Sequence, residues 1–276
     1  MVSPALLSLE HEAVSEKTLA AESATNFGDQ EFRNGRRIGV IYTNSMALYL
    51  GLGSVIALVG GPVLAYLALV PPLVGFGIFA GSLVLGALAA LWGLFAQLRL
   101  PRKRNFWGVL FGLPAIALVG TQLILHRGAP KINDVSTDLR DPPILQQASK
   151  DPALANVDLS YPAEFRDLVR SHYSSLSPQY LQAPAPAVFE AAKSVIKGRE
   201  NWKIIQADPS GLTIDGTSQS ALFGFVDDFA VRVRPTGEGA LVDMRSRSRD
   251  GESDFGANSD RIRAFFGSLR LAVRKQ

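Results

Sequence analysis

Three long apolar segments constrain this chain more than any other feature. They span residues 46–70, 73–98 and 106–125, each has 20 residues or more, and none contains Asp, Glu, Lys or Arg. A helix rises about 1.5 Å per residue, so about 20 apolar residues cross the hydrocarbon core of a bilayer. The rest of the 276-residue chain is too small to enclose three such helices in a water-soluble core. The segments therefore predict three transmembrane α-helices within residues 46–128.

Basic residues beside the apolar segments predict the orientation in the membrane. Three arginines between residues 33 and 37 precede the first segment, and four basic residues separate the second from the third. The connection between the first and second segments is an uncharged Pro-Pro pair. Because Lys and Arg near helix ends are retained on the cytoplasmic side, we expect residues 1–45 to form a cytoplasmic, largely disordered tail. Residues 129–276 would then form a periplasmic domain, with the helices in a bacterial inner membrane.

Glycines four residues apart occur in the second and third segments. One pair is Gly77 and Gly81, and the other is Gly108 and Gly112. Small residues at this spacing let helix backbones approach closely. The spacing predicts tight packing within the three-helix bundle, and homodimerisation through one of these faces is the alternative. No ionisable residue lies deep in the segments, which argues against an ion pump or an ion-coupled transporter.

The charges of residues 129–276 are balanced, with 19 basic and 19 acidic side chains. Nucleic-acid-binding domains concentrate basic charge on one surface, so we expect no nucleic-acid partner. The chain has no cysteine, which excludes disulfides and thiolate metal sites. Asp134, Asp138 and Asp141 could supply oxygen ligands, but they lack the glycine and final glutamate of an EF-hand loop. We interpret them as turn-forming and capping residues, and we expect neither a metal nor a cofactor.

Periodic apolar positions after residue 176 predict an α+β domain. One helix begins after Pro184 and ends at Gly198, and a second amphipathic helix lies close to the C-terminus. The predicted strands are 177–182, 202–207, 212–217, 223–234 and 240–249. This order of strand, helix, four antiparallel strands and helix predicts an antiparallel sheet with helices packed on one face. A curved sheet with a long C-terminal helix can enclose an apolar pocket, as helix-grip folds do.

The last two strands can be aligned residue by residue. If residues 237–238 form a two-residue turn, Arg232 faces Asp243 and Asp228 faces Arg247. One face of the hairpin is then apolar, and the other carries exposed pairs of opposite charge, each contributing about 0.2–1 kcal/mol. A slip by one residue would mix the two faces.

Asp227 breaks the alternation, because it falls on the apolar face of this hairpin. An unpaired buried carboxylate is costly, and perturbed carboxylates occur at functional sites. Asp227 is therefore a site candidate. The alternative is a local bulge, or a hydrogen-bonding aspartate that anchors a neighbouring loop.

Arg245, Arg247 and Arg249 form a basic stripe along one strand. We expect them to pair with Asp228 and Asp243. The alternative is recognition of an anionic group such as a lipid phosphate, which suits the planar fork of arginine.

Residues 129–272 resemble a bacterial family known as domain of unknown function 1499. The motifs that carry the resemblance are DVSTDLRDPP at 134–143, YP at 161–162, FVDDFAVRVRPT at 225–236, VDMRSRSRDGESDFGAN at 242–258 and RIRAFFGSL at 261–269. The resemblance implies a domain often attached to bacterial membranes, and it brings no established reaction, cofactor or catalytic residue. By position it implies a motif core of Asp227, Asp228, Arg232, Asp243, Arg245, Ser246, Arg247, Ser253, Asp254, Asn258 and Arg261.

These observations favour a membrane-anchored, non-enzymatic domain that binds a lipid, a small amphiphile or a protein partner near the membrane surface. One alternative is an extracytoplasmic hydrolase that uses Asp227 or Asp228, although the chain has no GxSxG, HExxH or P-loop motif. Another alternative is a structural component of a membrane protein complex.

Overall fold

The computed structural model describes residues 46–99 and 103–274. The predicted N-terminal tail and part of the basic connection before the third apolar segment lie outside these residues. The chain divides into two compact units. One contains the described residues up to Ile56 together with Ser82–Ala117, and the other contains Ala57–Gly81 and the described residues from Leu118 onward.

Among the described residues, three helices are long and apolar enough to cross a membrane. They are α1 (Met46–Tyr66), α2 (Pro72–Arg99) and α3 (Lys103–Leu125). Each contains one of the apolar segments almost entirely. A helix is the natural conformation for such a segment, because it satisfies every interior backbone N–H and C=O group without water.

The glycines of α3 lie where helices approach closely. Within the first unit, a Cβ atom built on Gly108 would lie 2.6 Å from the carbonyl oxygen of Ala47 in α1. A Cβ built on Gly112 would lie 2.6 Å from the carbonyl oxygen of Gly86 in α2. Even a methyl group at either position would force the helix backbones apart.

Gly77 and Gly81 of α2 differ from the pair in α3. No described atom outside their own helix backbone lies within 4 Å of a Cβ built on either residue. In the described part of the chain, only Gly108 and Gly112 therefore have the close contacts that the spacing predicts. Dimerisation or assembly through the face of Gly77 and Gly81 stays a prediction.

The described residues after α3 form an antiparallel sheet with helices, as predicted. The strands are β1 (Asp134–Ser136), β2 (Gln179–Leu181), β3 (Trp202–Asp208), β4 (Thr213–Gln219), β5 (Val226–Thr236) and β6 (Gly239–Ser248). Strands β3 to β6 form a meander, and β1 and β2 both pair with β6. The helices are α4 (Phe165–His172), α5 (Ala185–Lys197) and α6 (Ala257–Val273).

The register of the β5–β6 hairpin is the predicted one. Arg232 lies opposite Asp243, and Asp228 lies opposite Arg247. Pairing continues without a shift to Asp227, which lies opposite Ser248. The bulge considered at this end of the hairpin is therefore wrong.

The inner face of the sheet packs against α5 and α6. Phe229 and Met244 from the hairpin are fully buried against Phe189 of α5 and Phe265 of α6. These residues belong to the apolar face that alternation predicts, and helices cover it because their own apolar residues recur at helical spacing.

The outer face of the sheet is also covered. The chain between β1 and α4 lies over this face and includes two short 3₁₀ helices, Ala148–Lys150 and Pro152–Leu154. Leu145 from this segment forms a second, smaller core with Ala230 of β5. Asp243 is 0 % exposed and Arg245 is 3 % exposed. The expectation of an exposed charge ladder is therefore wrong, because a segment distant in sequence lies over it.

Candidate functional site

The predicted site residues separate onto the two faces of the sheet. Those on the outer face are Asp228, Arg232, Asp243, Arg245 and Arg247. Those at the inner face and the start of α6 are Asp227, Asp254, Asn258 and Arg261. The two groups have different surroundings.

Arg232 joins β5 to the chain between β1 and α4, which covers the outer face of the sheet. Its Nη1 donates to Asp141 Oδ2 at 2.8 Å, and its Nε donates to Asp243 Oδ2 at 3.1 Å. Arg234 contacts the same Asp243 carboxylate at 2.8 Å and Asp138 at 3.0 Å. Burial raises the pKa of Asp243, and the two guanidinium groups oppose this by favouring its ionised form.

Arg245 forms a buried fork with Asp134 of β1. The two nitrogen–oxygen distances are 3.0 and 2.7 Å, and the same guanidinium donates to the Leu159 carbonyl at 2.8 Å. The Tyr161 ring lies 5.3 Å from the guanidinium carbon. Burial raises the pKa of both Asp134 and Tyr161. The contacts of Arg245 with Leu159 and Tyr161 hold the chain between β1 and α4 against the sheet.

The other two arginines of the stripe are also engaged. Arg249 binds both carboxylate oxygens of Asp228, at 2.9 and 2.8 Å, and reaches Asp151 Oδ2 at 2.7 Å. Arg247 donates to the Asp158 carbonyl at 2.8 Å instead of pairing with its cross-strand neighbour Asp228. Two arginines of the stripe, Arg245 and Arg249, therefore pair with aspartates, although the partner of Arg245 is Asp134 and not Asp243. Each arginine of the stripe thus has a partner within the described residues, and recognition of an anionic group by the stripe stays a prediction.

The start of α6 is built by a tight polar loop. Phe255 and Gly256 both adopt left-handed backbone conformations, with φ of 52° and 90°. Asp254 accepts hydrogen bonds from the backbone N–H groups of Gly256 and Asn258, at 2.9 and 2.8 Å. A carboxylate is favoured there because the N–H groups of a first helical turn lack intrahelical partners. Burial raises the pKa of Asp254, and these hydrogen bonds oppose the rise.

Arg261 of α6 pairs with Asp227 across the inner face of the sheet. Its Nε donates to Ser218 Oγ at 3.0 Å, and its Nη1 donates to Ser246 Oγ at 2.8 Å. Asn258 completes the network by accepting from Ser246 Oγ at 2.7 Å. Asp227 can therefore be buried on the apolar face of the hairpin, because Arg261 of α6 pairs with its carboxylate there.

A cavity of about 400 Å³ opens beside this network, and we call it the α6 pocket. Its wall is partly aromatic, and its polar side includes Asp227, Asp254 and Arg261. It is lined by Leu73, Phe76, Lys131, Ser220, Phe225, Asp227, Ser248, Asp250, Gly251, Glu252, Ser253, Asp254, Phe255, Ala257 and Arg261.

The aromatic wall joins the sheet domain to the first turns of α2 within the second unit. The Phe76 ring centroid lies 6.1 Å from that of Phe225 and 6.3 Å from that of Phe255. Phe223 packs against Phe76 edge-on, at 5.5 Å. Phe255 is 46 % exposed, so part of this wall faces open space. The pocket therefore combines an apolar wall with a charged side.

Sequence reasoning missed the aromatic residues of the pocket. Phe255 carried a signal, since it is a large apolar residue in an otherwise polar, glycine-rich loop. Phe76 carried none, because one phenylalanine within an apolar helix has no distinguishing pattern.

A second cavity, of about 270 Å³, lies on the outer face beside Asp215, Asp228 and Arg249. Asp215 of β4 is only 5 % exposed, and its Oδ1 accepts from the Gln147 backbone N–H at 3.3 Å. Burial raises the pKa of Asp215. This residue was also missed, because an aspartate on the outward face of a strand is unremarkable until another segment covers it.

Comparison with known families identifies the sheet domain. The model of the family DUF1499, described as a protein of unknown function, matches residues 134–269. This domain belongs to that family. The match spans β1 to α6, so it includes the outer-face network and most of the α6 pocket. No curated protein is significantly similar in sequence to the chain.

Several solved structures share a limited likeness with part of this chain. The crystal structure of TTHA0849 from Thermus thermophilus is 15 % identical, with a TM-score of 0.27, and the match covers 36 % of this chain and 95 % of that one. Ara h 8.0201 is 12 % identical, with a TM-score of 0.28, and the coverages are 36 % and 96 %. CalU16 from Micromonospora echinospora is 14 % identical, with a TM-score of 0.25, and the coverages are 36 % and 79 %. Likeness at this level says nothing of ligand or activity.

Proposed function

We propose that the DUF1499 domain of this chain binds a lipid or a lipid-like amphiphile in the α6 pocket. The observation that carries the proposal is the composition of its wall, which is aromatic on one side and charged on the other. Ligand pockets are typically apolar cavities of about 300–1,000 Å³ with a few polar groups that orient the ligand. An amphiphile matches both halves of such a pocket.

The position of the pocket supports a ligand that comes from a membrane. Leu73 and Phe76 line it, and both belong to the first turns of α2, a helix apolar enough to span a bilayer. In this proposal α1 to α3 anchor the chain in the inner membrane of a bacterium, with the N-terminus in the cytoplasm and the DUF1499 domain in the periplasm. The pocket then lies where α2 enters the membrane.

A structural role, rather than hydrolysis, is proposed for Asp227 and Asp228. Each carboxylate is held by an arginine, Asp227 by Arg261 and Asp228 by Arg249. A general base or nucleophile needs a carboxylate that is free to approach the substrate. The same pairing explains both residues as parts of the fold, so the hydrolase alternative gains no support from them.

The test is native mass spectrometry of the full-length protein, extracted gently from its own membrane. We expect the wild type to retain an added mass that matches a lipid or another amphiphile. Ala257 is exposed on the first turn of α6 and lines the pocket, so Ala257→Trp would fill part of the cavity. We expect this variant to retain at least about tenfold less, which corresponds to a loss of about 1.4 kcal/mol in binding.

Ala264→Trp is the matched control, because Ala264 is exposed on the same helix but does not line the pocket. It should retain the added mass as the wild type does. Equal retention by the wild type and Ala257→Trp would contradict binding in the α6 pocket. A retained second protein in place of a small mass would instead favour a role in a membrane protein complex.

A further inference from the structure

The α6 pocket carries more acidic than basic side chains. Two cations, Lys131 and Arg261, line it. Four carboxylates line it as well, those of Asp227, Asp250, Glu252 and Asp254. The pocket therefore has two negative charges in excess, whereas residues 129–276 as a whole are neutral.

Both cations of the pocket are already paired. Lys131 Nζ lies 2.5 Å from Glu252 Oε2, and Arg261 pairs with Asp227. Arg261 also donates to Ser218 and Ser246, so at least three of its five N–H donors are engaged. An anionic head group would therefore meet each cation beside a carboxylate that already compensates its charge.

Asp250 is in the opposite situation. It is exposed and lines the pocket, and in the described part of the chain no hydrogen bond or ion pair engages its carboxylate. The rings of Phe225 and Phe255 line the same cavity. An ammonium group is attracted both by a carboxylate and by the face of an aromatic ring.

We propose that the α6 pocket selects an amphiphile whose head group carries an ammonium, and that this amphiphile is a lipid of the surrounding bilayer. The inference rests on the proposed binding function and narrows its ligand class. The bilayer is the source because Leu73 and Phe76 continue the pocket onto the apolar surface of α2. Phosphatidylethanolamine has the required head group, whereas phosphatidylglycerol is anionic and has no ammonium.

The experiment places the full-length protein in nanodiscs that contain equal amounts of phosphatidylethanolamine and phosphatidylglycerol with identical acyl chains. Native mass spectrometry then counts the lipids of each kind that remain bound. We expect the wild type to retain phosphatidylethanolamine over phosphatidylglycerol by about two- to fivefold, the scale of a partly exposed charge pair.

Asp250→Lys tests the residue that carries the preference. It replaces the unpaired carboxylate with a cation, so we expect the preference to disappear or to reverse. Glu238→Lys is the matched control, because Glu238 is exposed in the β5–β6 turn and its substitution changes the net charge equally. This control should keep the preference of the wild type.

The outcomes separate this inference from the function on which it rests. Retention of both lipids equally, or of phosphatidylglycerol preferentially, would overturn the head-group inference and leave amphiphile binding intact. Retention no greater than that of Ala257→Trp for either lipid would overturn both. In protein extracted from cells, the mass of a diacyl lipid would support the bilayer as the source, and a small free amine would overturn it.

Discussion

At the scale of single residues, the charged side chains serve two purposes. Asp134, Asp228 and Asp243 of the sheet pair with arginines beneath the segment that covers the outer face. The same three arginines also donate to that segment, at Leu159, Asp151 and Asp141, and these contacts hold it on the sheet. Asp227 meets Arg261 on the inner face, beside an open cavity. A buried ion pair adds little net stability, yet loss of one partner leaves the other charge uncompensated and costs about 3–5 kcal/mol. A phenotype of an Asp227 or Asp228 variant would therefore report first on folding.

Asp215 gives a pH-dependent prediction at this scale. Burial raises the pKa of its carboxyl in the folded state, so the folded state holds the proton more tightly than the unfolded chain. Stability from this group is full below the ordinary pKa of about 4 and is lost as the pH rises through the raised value. Asp215→Asn cannot ionise, so we expect a higher Tm than the wild type at pH 7 and a difference that shrinks toward pH 4.

Trp202 reports on this unfolding, since it packs 5.0 Å from Phe229 in the core. Its fluorescence can be isolated in a background that carries Trp92→Phe and Trp107→Phe. Glu238→Gln serves as the control, because it removes an exposed carboxylate and should shift the Tm little at any pH. A lower Tm of Asp215→Asn at pH 7 would mean that the hydrogen bonds to the carboxylate outweigh its burial.

At the scale of secondary-structure elements, the glycines that matter for packing are those at which two helix backbones approach closely. α3 meets α1 at Gly108 and α2 at Gly86, where one added methyl group would overlap the neighbouring backbone. In a bilayer, lipid tails are as apolar as the side chains, so packing and not the hydrophobic effect holds such helices together. Spacing alone does not distinguish Gly108 and Gly112 from Gly77 and Gly81, beside which the described residues leave open space.

Gly108→Ala should therefore destabilise the helix bundle. We expect a loss of about 1–3 kcal/mol, typical of overpacking, in unfolding by sodium dodecyl sulfate followed by circular dichroism. Gly120→Ala is the matched control in the same helix, because no described atom outside the helix backbone lies within 4 Å of its Cβ position. It should be neutral. A Gly108→Ala protein as stable as the control would contradict the close contact with α1.

At the scale of the whole molecule, the orientation proposed for the chain in the membrane determines what the pocket can meet. The DUF1499 domain follows α3 after a short connection, residues 126–133. If the first and second connections have the sidedness that their charges predict, the domain lies outside the cytoplasm. The pocket would then meet lipids of the outer leaflet and periplasmic partners.

The absence of cysteine from the chain makes this orientation directly measurable. We expect Glu238→Cys to react with a membrane-impermeant maleimide in cells whose outer membrane alone is permeabilised. Ser15→Cys, in the N-terminal tail, should react only after the inner membrane is lysed. The reverse pattern would place the domain in the cytoplasm and overturn the proposed topology.

The sequence alone determined the features that depend on neighbouring residues. Length and composition predict α1 to α3, and alternation predicts both the register of β5 with β6 and the apolar face that α5 and α6 cover. The three-dimensional packing was needed to show what covers the other face, that Arg245 meets Asp134, that Arg261 meets Asp227, and that Phe76 lines the α6 pocket. The alternation of apolar and polar residues along a strand predicts on which face of the sheet a side chain lies. The partner it finds there depends on the path of chain segments far away in sequence, and no local pattern records that path.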